Sequence, residues 1–573
     1  MKFFMYFLIF TLCAFTPPRT IEPKVNIDFS TYYDYEEMRD ILIDLTDAYP
    51  ELLTLDVMGK SREGRDIWVV TVNNPLTGEH SSKPAMYIDA NTHGNEIQGS
   101  EISIFTIYYL VTRFNKDEWV TQLLNDYSFY IAPTVNPDSR HRFFHEPNTP
   151  HSPRQNIRPF DNDRDGYFDE DGPEDLNGDG EITQMRRRSI YGNQVSSIDS
   201  RAMDGKEFDA YGEWEVFWTE GIDNDSDGSI NEDGLGGVDL NRQWPWDWAA
   251  DHKQYGAGPY MLSEPEAYVT AAFIRKHPNI AAVQSYHNAG DMILRPPGTK
   301  ESSERGLSSK DKRVMDFMAE RAKNFLPDYE YLEVYSGLYP VSGGFFDWTY
   351  GELGIFSFTN ELYSFNPDYD GDGYSSQVEK LKWNDEVAHG SCFADWEPYN
   401  HPELGEIEIG GWKSFCTRMP LPDELFDMAM QNTLFTLMHA SFMPKVEFGE
   451  MEIVEIDRNL WRVDVQLKNV SAMPTASSQG VRSGYAHSDK ICLEGADLSI
   501  AGTREKNLRP GHNLHLIASQ FETRDNCAHI GHVDSYGQKW VTMFVEGKRN
   551  SKINMIFSAQ KAKSVSFKFN LKD

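Results

Sequence analysis

The sequence predicts an α/β layer fold up to about Met443, followed by a small β-sandwich. Three observations lead there. Strand-like and helix-like apolar patterns alternate from about Thr31 to Met443. After Pro444 apolar and polar residues alternate one by one, the period of a strand with one wet face. A chain of 573 residues with 40% hydrophobic and 13% aromatic side chains is also long and apolar enough for two or three packed domains.

Taken in order, the opening "MKFFMYFLIFTLCAFTPPRT" carries one cation, Lys2, then an apolar run from Phe3 to Leu12 that Pro17 and Pro18 end. That is too short to span a bilayer and reads as a secretory signal over residues 1–18, so a secreted, periplasmic or otherwise extracytoplasmic location is expected. The large Leu12 before Cys13 argues against lipid modification there. No other segment reaches membrane-spanning length. "YEEMRDILIDLTDAYPELLTL" sets Met38, Ile41, Leu42 and Leu45 at helical spacing. "DIWVVTVN" and "PAMYIDA" read as buried strands and "EISIFTIYYLVTRF" as a largely buried helix. The α/β region is assigned to residues 27–443, with an acidic insertion at about 146–237. The sandwich is assigned to 445–573. It rests on "LWRVDVQLKN", where Trp461, Val463, Val465 and Leu467 alternate with polar residues, and on Val565, Phe567, Phe569 and Leu571 in "SVSFKFNL".

Without Cys13 the chain keeps Cys392, Cys416, Cys492 and Cys527, an even count that in an exported protein suggests disulfides. The simplest pairing joins sequence neighbours, 392 with 416 and 492 with 527. A net charge of −35 argues against nucleic acid and anionic membrane as partners, because phosphate contacts need clustered cations.

The stretch "AMYIDANTHGNEIQGSEISIF" ends a strand at His93 and, three residues on, Glu96. An imidazole and a carboxylate so placed reach one point, and together they suit zinc. Downstream, "GVDLNRQWPW" places Asn241 and Arg242 after an acidic loop. "AVQSYHNAGDMILRPPG" puts His287 at a strand end, and "YPVSGGFFDWTYGELGIFSFTNEL" offers Tyr339 and Glu361. Singly these have ordinary roles as core histidine, ion-pair member or solvated strand end. As an ordered set they do not.

With "NPDS" near Asn136, these motifs resemble the zinc metallocarboxypeptidases of the M14 family over most of Thr31 to Met443. The resemblance implies a mixed, mostly parallel twisted sheet with helices on both faces and the site at strand ends. It implies one catalytic zinc held by His93, Glu96 and His287, with a fourth position left for water. Glu361 matches the general base. Asn241 and Arg242 match the grip on the substrate's terminal carboxylate, and Tyr339 the ring that closes over it. The family's oxyanion arginine is assigned to Arg186 in "ITQMRRRS", with Arg187 and Arg188 as alternatives. Phe346 falls where the family lines the floor of the side-chain pocket. An apolar floor there implies neutral, apolar or aromatic terminal residues, since a buried cation needs a partner. The substrates implied are peptide or protein C-termini. The interval from Glu96 to His287, 191 positions (287 − 96), is long for the family because the acidic insertion lies inside it. Too few residues separate the signal from Thr31 for a folded inhibitory pro-domain, so export in active form is expected. Two other functions are weighed: a zinc amidase trimming cell-wall peptides, and a non-catalytic calcium-binding surface or adhesion module.

The acidic loops carry a separate expectation, of several structural calcium ions. "DYDGDGYSSQVE" sets Asp368, Asp370, Asp372, Tyr374 and Glu379 at positions one, three, five, seven and twelve, with Gly373 at six, the spacing of an EF-hand-like loop. "DNDRDGYFDEDG" and "DNDSDGSINEDG" are identical at eight of twelve positions. They offer Asp161, Asp163, Asp165 and Asp169, then Asp223, Asp225, Asp227 and Asn231, with no closing ligand at position twelve. "DLNGDGEIT" adds Asp175, Asn177 and Asp179.

Overall fold

A central sheet of eight strands organises the first part of the chain, seen in a computed structural model that describes residues 22–162, 164–217, 219–505 and 521–572. Across the sheet the order is Leu53–Lys60, Asp66–Val72, Ser128–Ala132, Ala85–Ala90, Ile280–Asn288, Phe356–Leu362, Met292–Arg295 and Glu330–Glu333. Four of its seven pairings are parallel, so the sheet is mixed and mostly parallel.

Both faces are covered, and the strand residues alternate to match. Met86, Ile88 and Ala90 face a core shared with helices Tyr35–Ala48, Gln98–Arg113, Ser309–Ala322 and Pro422–Ser441. Ala85 and Tyr87, one residue out of phase, face helices Pro265–Lys276 and Phe345–Gly351. Helix Tyr35–Ala48 begins on a capping box between Asp34 and Glu37 and buries Met38, Leu42 and Leu45 as its spacing predicts. Helix Gln98–Arg113 is buried at nearly every position. Because the parallel strands Ala85–Ala90, Ile280–Asn288 and Phe356–Leu362 are neighbours, their carboxyl ends share one edge of the sheet.

The acidic insertion is more than loop. It contains strands Gln184–Arg188, Gln194–Ser196, Met203–Gly205 and Trp214–Phe217. These join the hairpin Phe393–His401 and Gly405–Trp412 in a second, antiparallel sheet of six strands. The hairpin is closed at its base by the disulfide Cys392–Cys416.

The last part is a β-sandwich. Four strands, Val446–Asp457, Leu460–Asn469, Gln538–Glu546 and Ser499–Glu505, face five, Glu522–Arg524, Cys527–Gly531, Asp489–Glu494, Lys552–Ala559 and Ala562–Asn570. All pairings are antiparallel, and one core joins the two sheets. Trp461, Val463, Val465 and Leu467 lie in that core. Phe567, expected inside, is 44% exposed, because its strand is at a sheet edge with one neighbour. Cys492–Cys527 bridges adjacent strands.

The sandwich grips one turn of the α/β part. The carbonyl of Gly354 accepts from Ser477 Oγ at 2.7 Å, that of Leu353 from Lys561 Nζ at 2.9 Å, and that of Gly351 from Gln479 Nε2 at 2.5 Å. Asp311, buried, accepts from the Ser478 and Gln479 amides at 2.9 and 3.0 Å and from the Tyr350 hydroxyl at 3.0 Å. Among the described residues no helix is long and apolar enough to cross a membrane. The apolar run Phe3–Leu12 lies outside them.

Candidate active site

The shared edge of the sheet brings the histidines and carboxylates together. His93 and Glu96 sit in the turn after Ala85–Ala90, and His287 and Glu361 are register partners on adjacent parallel strands. His93 Nδ1 lies 3.0 Å from Glu96 Oε1, and His287 Nδ1 lies 3.2 Å from His93 Nδ1 and 3.1 Å from Glu96 Oε2. All three residues are about 2% exposed. Donor atoms 3.0–3.2 Å apart approach the ~3.4 Å edge of a tetrahedron with ~2.1 Å bonds, so the set fits one zinc ion.

A second layer orients it. Asp239 Oδ1 lies 3.0 Å from His93 Nε2, which turns Nδ1 toward Glu96 and His287. Burial opposes charge on Asp239, yet His93, Arg242 and Arg154 hold its carboxyl well below the ordinary carboxylate range. Arg154 donates to Glu96 Oε1 at 2.9 Å and reaches Asp239 Oδ2 at 3.6 Å. Burial works against its charge too, and Asp239 and Glu96 more than offset it. Glu361 is the contrasting group. Burial, with the Glu96 charge adding to it, pushes its carboxyl up to about 7 against the pull of His287, Arg154 and Arg418.

Beside these groups opens a cavity of about 600 Å³. Asn241, Arg242, Tyr339 and Glu361 line it, and so does an apolar patch that includes Leu294, Val334, Val341 and Phe346. Arg242 Nη1 donates to the Asn241 carbonyl at 2.9 Å, and Asn241 Oδ1 accepts from the Phe345 amide at 2.9 Å, tying the arginine to the pocket helix. Gly343 makes this approach possible. It sits at φ +67°, and a Cβ there would lie 2.5 Å from the Arg242 carbonyl oxygen. Tyr339 stands on the rim, 48% exposed. Asp347 does not line the cavity; it is buried, accepts from the Gly298 amide at 2.9 Å, and burial pushes its carboxyl up to about 8.

Arg186 is a correction, because the structure places it away from the cavity. It lies on a strand of the second sheet, pairs with Glu408 at 2.6 Å, and its guanidinium is held between the rings of Trp214 and Trp396 at 4.0 and 4.2 Å. Arg187 pairs with Glu215 and Arg188 lies over Trp214, on the same sheet. The arginines that do line the cavity are Arg154, Arg242 and Arg418. Asp239 stood inside the quoted "DLNR". Arg154 and Arg418 are isolated arginines with no local pattern. Arg154 is delivered by an isolated bridge between Asn156 and Val238 that closes the base of the insertion.

The acidic loops repeat one turn. In each, the first Asp accepts from backbone amides three and five residues on: Asp161 from Arg164 and Gly166, Asp223 from Ser226 and Gly228, Asp175 from Gly178 and Gly180, Asp368 from Gly371 and Gly373. The sixth residue is glycine with φ between +89° and +102° in all four, a region that favours glycine. Asp370, Asp372, Asp225, Asp227, Asn177, Asp179 and Asp165 each accept from the amide two residues on. Tyr374 is exposed. Glu379 accepts from the Tyr369, Asp370 and Ser376 amides, and Ser376 above all lowers its carboxyl to about 2. Asp163 lies outside the described residues.

The two long loops face each other reciprocally. Asp233 accepts from the Asn162 and Asp169 amides of the first loop, and Asp171 from the Asn224 side chain and Asn231 amide of the second. An isolated bridge joins Asp171 to Asp233. At position nine, Asp169 accepts from the Phe160 and Gly236 amides and Asn231 donates to Thr219 and Glu220. The carboxylates that converge within 4.8 Å include Asp165, Glu170 and Asp225, then Asp225, Asp227 and Glu232. Burial and Asp233 push Glu170 up to about 7, and burial and Asp171 do the same to Glu232. Tyr255, which lines the cavity, donates to Asn162 at 3.0 Å, a direct link between the first loop and the site.

Known proteins resemble this chain in sequence. A sequence model described as zinc carboxypeptidase, peptidase M14, matches residues 38–187 and 200–374, more than half of the chain, and one described only as a domain of unknown function matches 445–570. Carboxypeptidase A1 of Sus scrofa is 21% identical over 337 residues, 59% of this chain and 64% of that protein. Carboxypeptidase D of Drosophila melanogaster is 31% identical over 127 residues, 21% of this chain and only 9% of the relative's length. Among solved structures, thrombin activatable fibrinolysis inhibitor aligns over 74% of this chain and 77% of its own, with 18% identity and a TM-score of 0.43. The match to more than half of the chain, over the segments that carry the triad, Arg242 and Glu361, places the protein in the zinc carboxypeptidase family.

Proposed function

We propose that the protein is a zinc-dependent carboxypeptidase that hydrolyses the last peptide bond of peptides or proteins and prefers neutral, apolar or aromatic terminal residues. The observation that carries this reading is a three-ligand metal set, two of whose members line the cavity, together with a carboxyl group and an Asn–Arg pair next to an apolar patch in the same lining. Zinc held by His93, Glu96 and His287 would polarise the scissile carbonyl and acidify water. Glu361 accepts the proton of the attacking water and passes it to the departing amine. Arg242, steadied by Asn241, binds the terminal carboxylate, and Tyr339 closes from the rim. Arg154, beside Glu96, takes the oxyanion role assigned from the sequence to Arg186. Phe346 and its apolar neighbours support the preference, and the buried, neutral Asp347 offers no counter-charge to a terminal Lys or Arg.

The acidic loops are proposed to bind calcium and so to order the site, since the insertion ends at Asn156 and Val238 beside Arg154 and Asp239. The sandwich braces the turn Gly351–Gly354, between the helix that carries Phe346 and the strand that carries Glu361. Export to an oxidising compartment is supported by the two disulfides and the apolar run Phe3–Leu12.

The test is a panel of peptides ending in Phe, Leu, Lys and Glu, assayed for kcat/KM with and without a zinc chelator, alongside Glu361→Gln. Chelator should abolish cleavage, and Glu361→Gln should lower it by ~10²–10⁴-fold. Faster cleavage of the Lys peptide would sink the specificity, and full activity in Glu361→Gln would sink the mechanism.

A further inference from the structure

We infer that Arg418 is a specificity residue that selects an acidic side chain on the amino side of the cleaved bond. The inference rests on the carboxypeptidase reading above and goes beyond it. Arg418 lies past residue 374, where the match to the family ends.

Its place in the cavity follows from the order of strands. The apolar patch holds Leu294, from the strand on the far side of Glu361, and Phe346. Arg418 lies over the other side. Its carbonyl accepts from Gln98 Nε2 at 3.1 Å and from the Asn288 amide group, and its Nη2 donates to the Asn288 carbonyl at 2.8 Å. Glu96 therefore sits between two guanidinium groups, 2.9 Å from Arg154 and 3.9 Å from Arg418. A substrate whose terminal residue points to Arg242 and Phe346 must leave the metal set past Glu96 and Asn288, which brings its preceding residues to Arg418.

The side chain is built to act there. The chain is pinned on one side by the disulfide at Cys416 and on the other by Met419, which is 1% exposed and packs on Ile97 and Phe143. The side chain is 21% exposed and lines the cavity; its one ion-pair partner among the described residues, Glu96, is already shared with Arg154, and its charge also reaches Glu361. Nε makes no hydrogen bond, and Nη1 meets only His151, at 3.5 Å. A fixed fork whose Nη1 has only one long contact, and whose charge is met by a carboxylate no nearer than 3.9 Å, suits a carboxylate.

The experiment measures kcat/KM for peptides with one terminal residue and Glu, Gln, Ala or Lys at the first or second position before the cleaved bond. In the wild-type enzyme Glu should exceed Gln roughly tenfold at one of these positions, and Lys should be poorest. Arg418→Gln should erase the Glu-over-Gln ratio, and Arg418→Lys should keep most of it. Ratios within one preparation are unaffected by any unfolded fraction. Equal loss on all four peptides in Arg418→Gln, as an oxyanion or purely structural role requires, would overturn the inference. So would a wild-type enzyme indifferent to Glu, which would show Arg418 bound to main-chain carbonyls or to nothing. A wild-type enzyme that cleaves none of the peptides would remove the carboxypeptidase reading itself, and this inference with it.

Discussion

Replacing Asp239 by Asn tests how far the site depends on one carboxylate that holds a metal ligand and the Asn–Arg pair together. Asp239 Oδ1 meets His93 Nε2 at 3.0 Å and the Asn241 amide at 2.7 Å, and the carboxylate lies 3.6 Å from Arg154 and 4.0 Å from Arg242. It therefore fixes a metal ligand and the carboxylate grip at once. Asparagine keeps the shape and one acceptor, but removes the charge and aims an N–H at two guanidinium groups. A buried charge-assisted hydrogen bond is worth about 1.5–3 kcal/mol. At about 1.4 kcal/mol per tenfold, that predicts a ~10- to 100-fold loss of zinc affinity, the range seen when the partners of metal ligands are removed. Competition with a chromogenic chelator measures it, with circular dichroism confirming the fold. At saturating zinc the KM for peptides should also rise, because Asn241 and Arg242 lose their shared anchor. Zinc affinity within twofold of wild type together with an unchanged KM would refute the reasoning.

Three other outcomes are expected. Arg154→Gln should lower kcat/KM by ~10²-fold or more, whereas Arg186→Gln should leave it near wild type and lower the melting temperature instead; the reverse pattern would restore Arg186 to the site. Lys561 is buried, and burial lowers its ammonium group from 10.5 to about 7. Between those values the unfolded chain binds the proton that the folded protein has released, so this residue's contribution to stability rises with pH. The melting temperature of wild type relative to Lys561→Met should accordingly climb from pH 7 to 10, and a constant difference would exclude the effect. Glu170 and Glu232, raised from 4.5 to about 7, act in the opposite sense: their contribution is complete below 4.5 and is lost as pH rises through 7. Calcium-stripped, zinc-loaded protein should therefore melt lower and be nicked faster between Phe160 and Gly237 at pH 8 than at pH 5. Calcium should remove that pH dependence, and indifference to calcium at both pH values would argue against the loops as cation sites.

What the sequence revealed of this architecture was local or periodic. His93 and Glu96 are three residues apart, so no long-range contact is needed to see them as a pair. His287 and Glu361 close apolar strands, and a sheet of parallel strands gathers such ends on one edge. The alternation of Trp461, Val463, Val465 and Leu467 likewise survives folding unchanged. Arg186 shows where this kind of reading stops. A run of three arginines gives its charge but not the strand it lies on, and that strand's partner, Glu408, is 222 residues away. The second sheet was hidden for the same reason: its strands in the insertion are three to five residues long and gain order from a distant hairpin. Arg154 owes its position to a two-residue bridge that leaves no mark around it; the disulfide at Cys416, two residues from Arg418, was legible, but not what it sets that arginine against.

The exchange of Asp171 and Asp233 between the two repeated loops bears on how this part of the chain comes to order during synthesis. The first loop leaves the ribosome about sixty residues ahead of the second, yet the carboxylate that receives its Asn162 and Asp169 amides belongs to the later copy. Until Asp233 emerges, the first loop has its own turn at Asp161 and its Phe160–Asp169 closure, but those two amides lack the carboxylate that receives them. The reciprocal contacts of Asp171 and Asp233 are therefore expected to form together, once both copies are present. The same arithmetic constrains tinkering with the gene. Excising either repeat removes the partner that the survivor needs, so a protein with one loop is expected to be less ordered than a protein with neither.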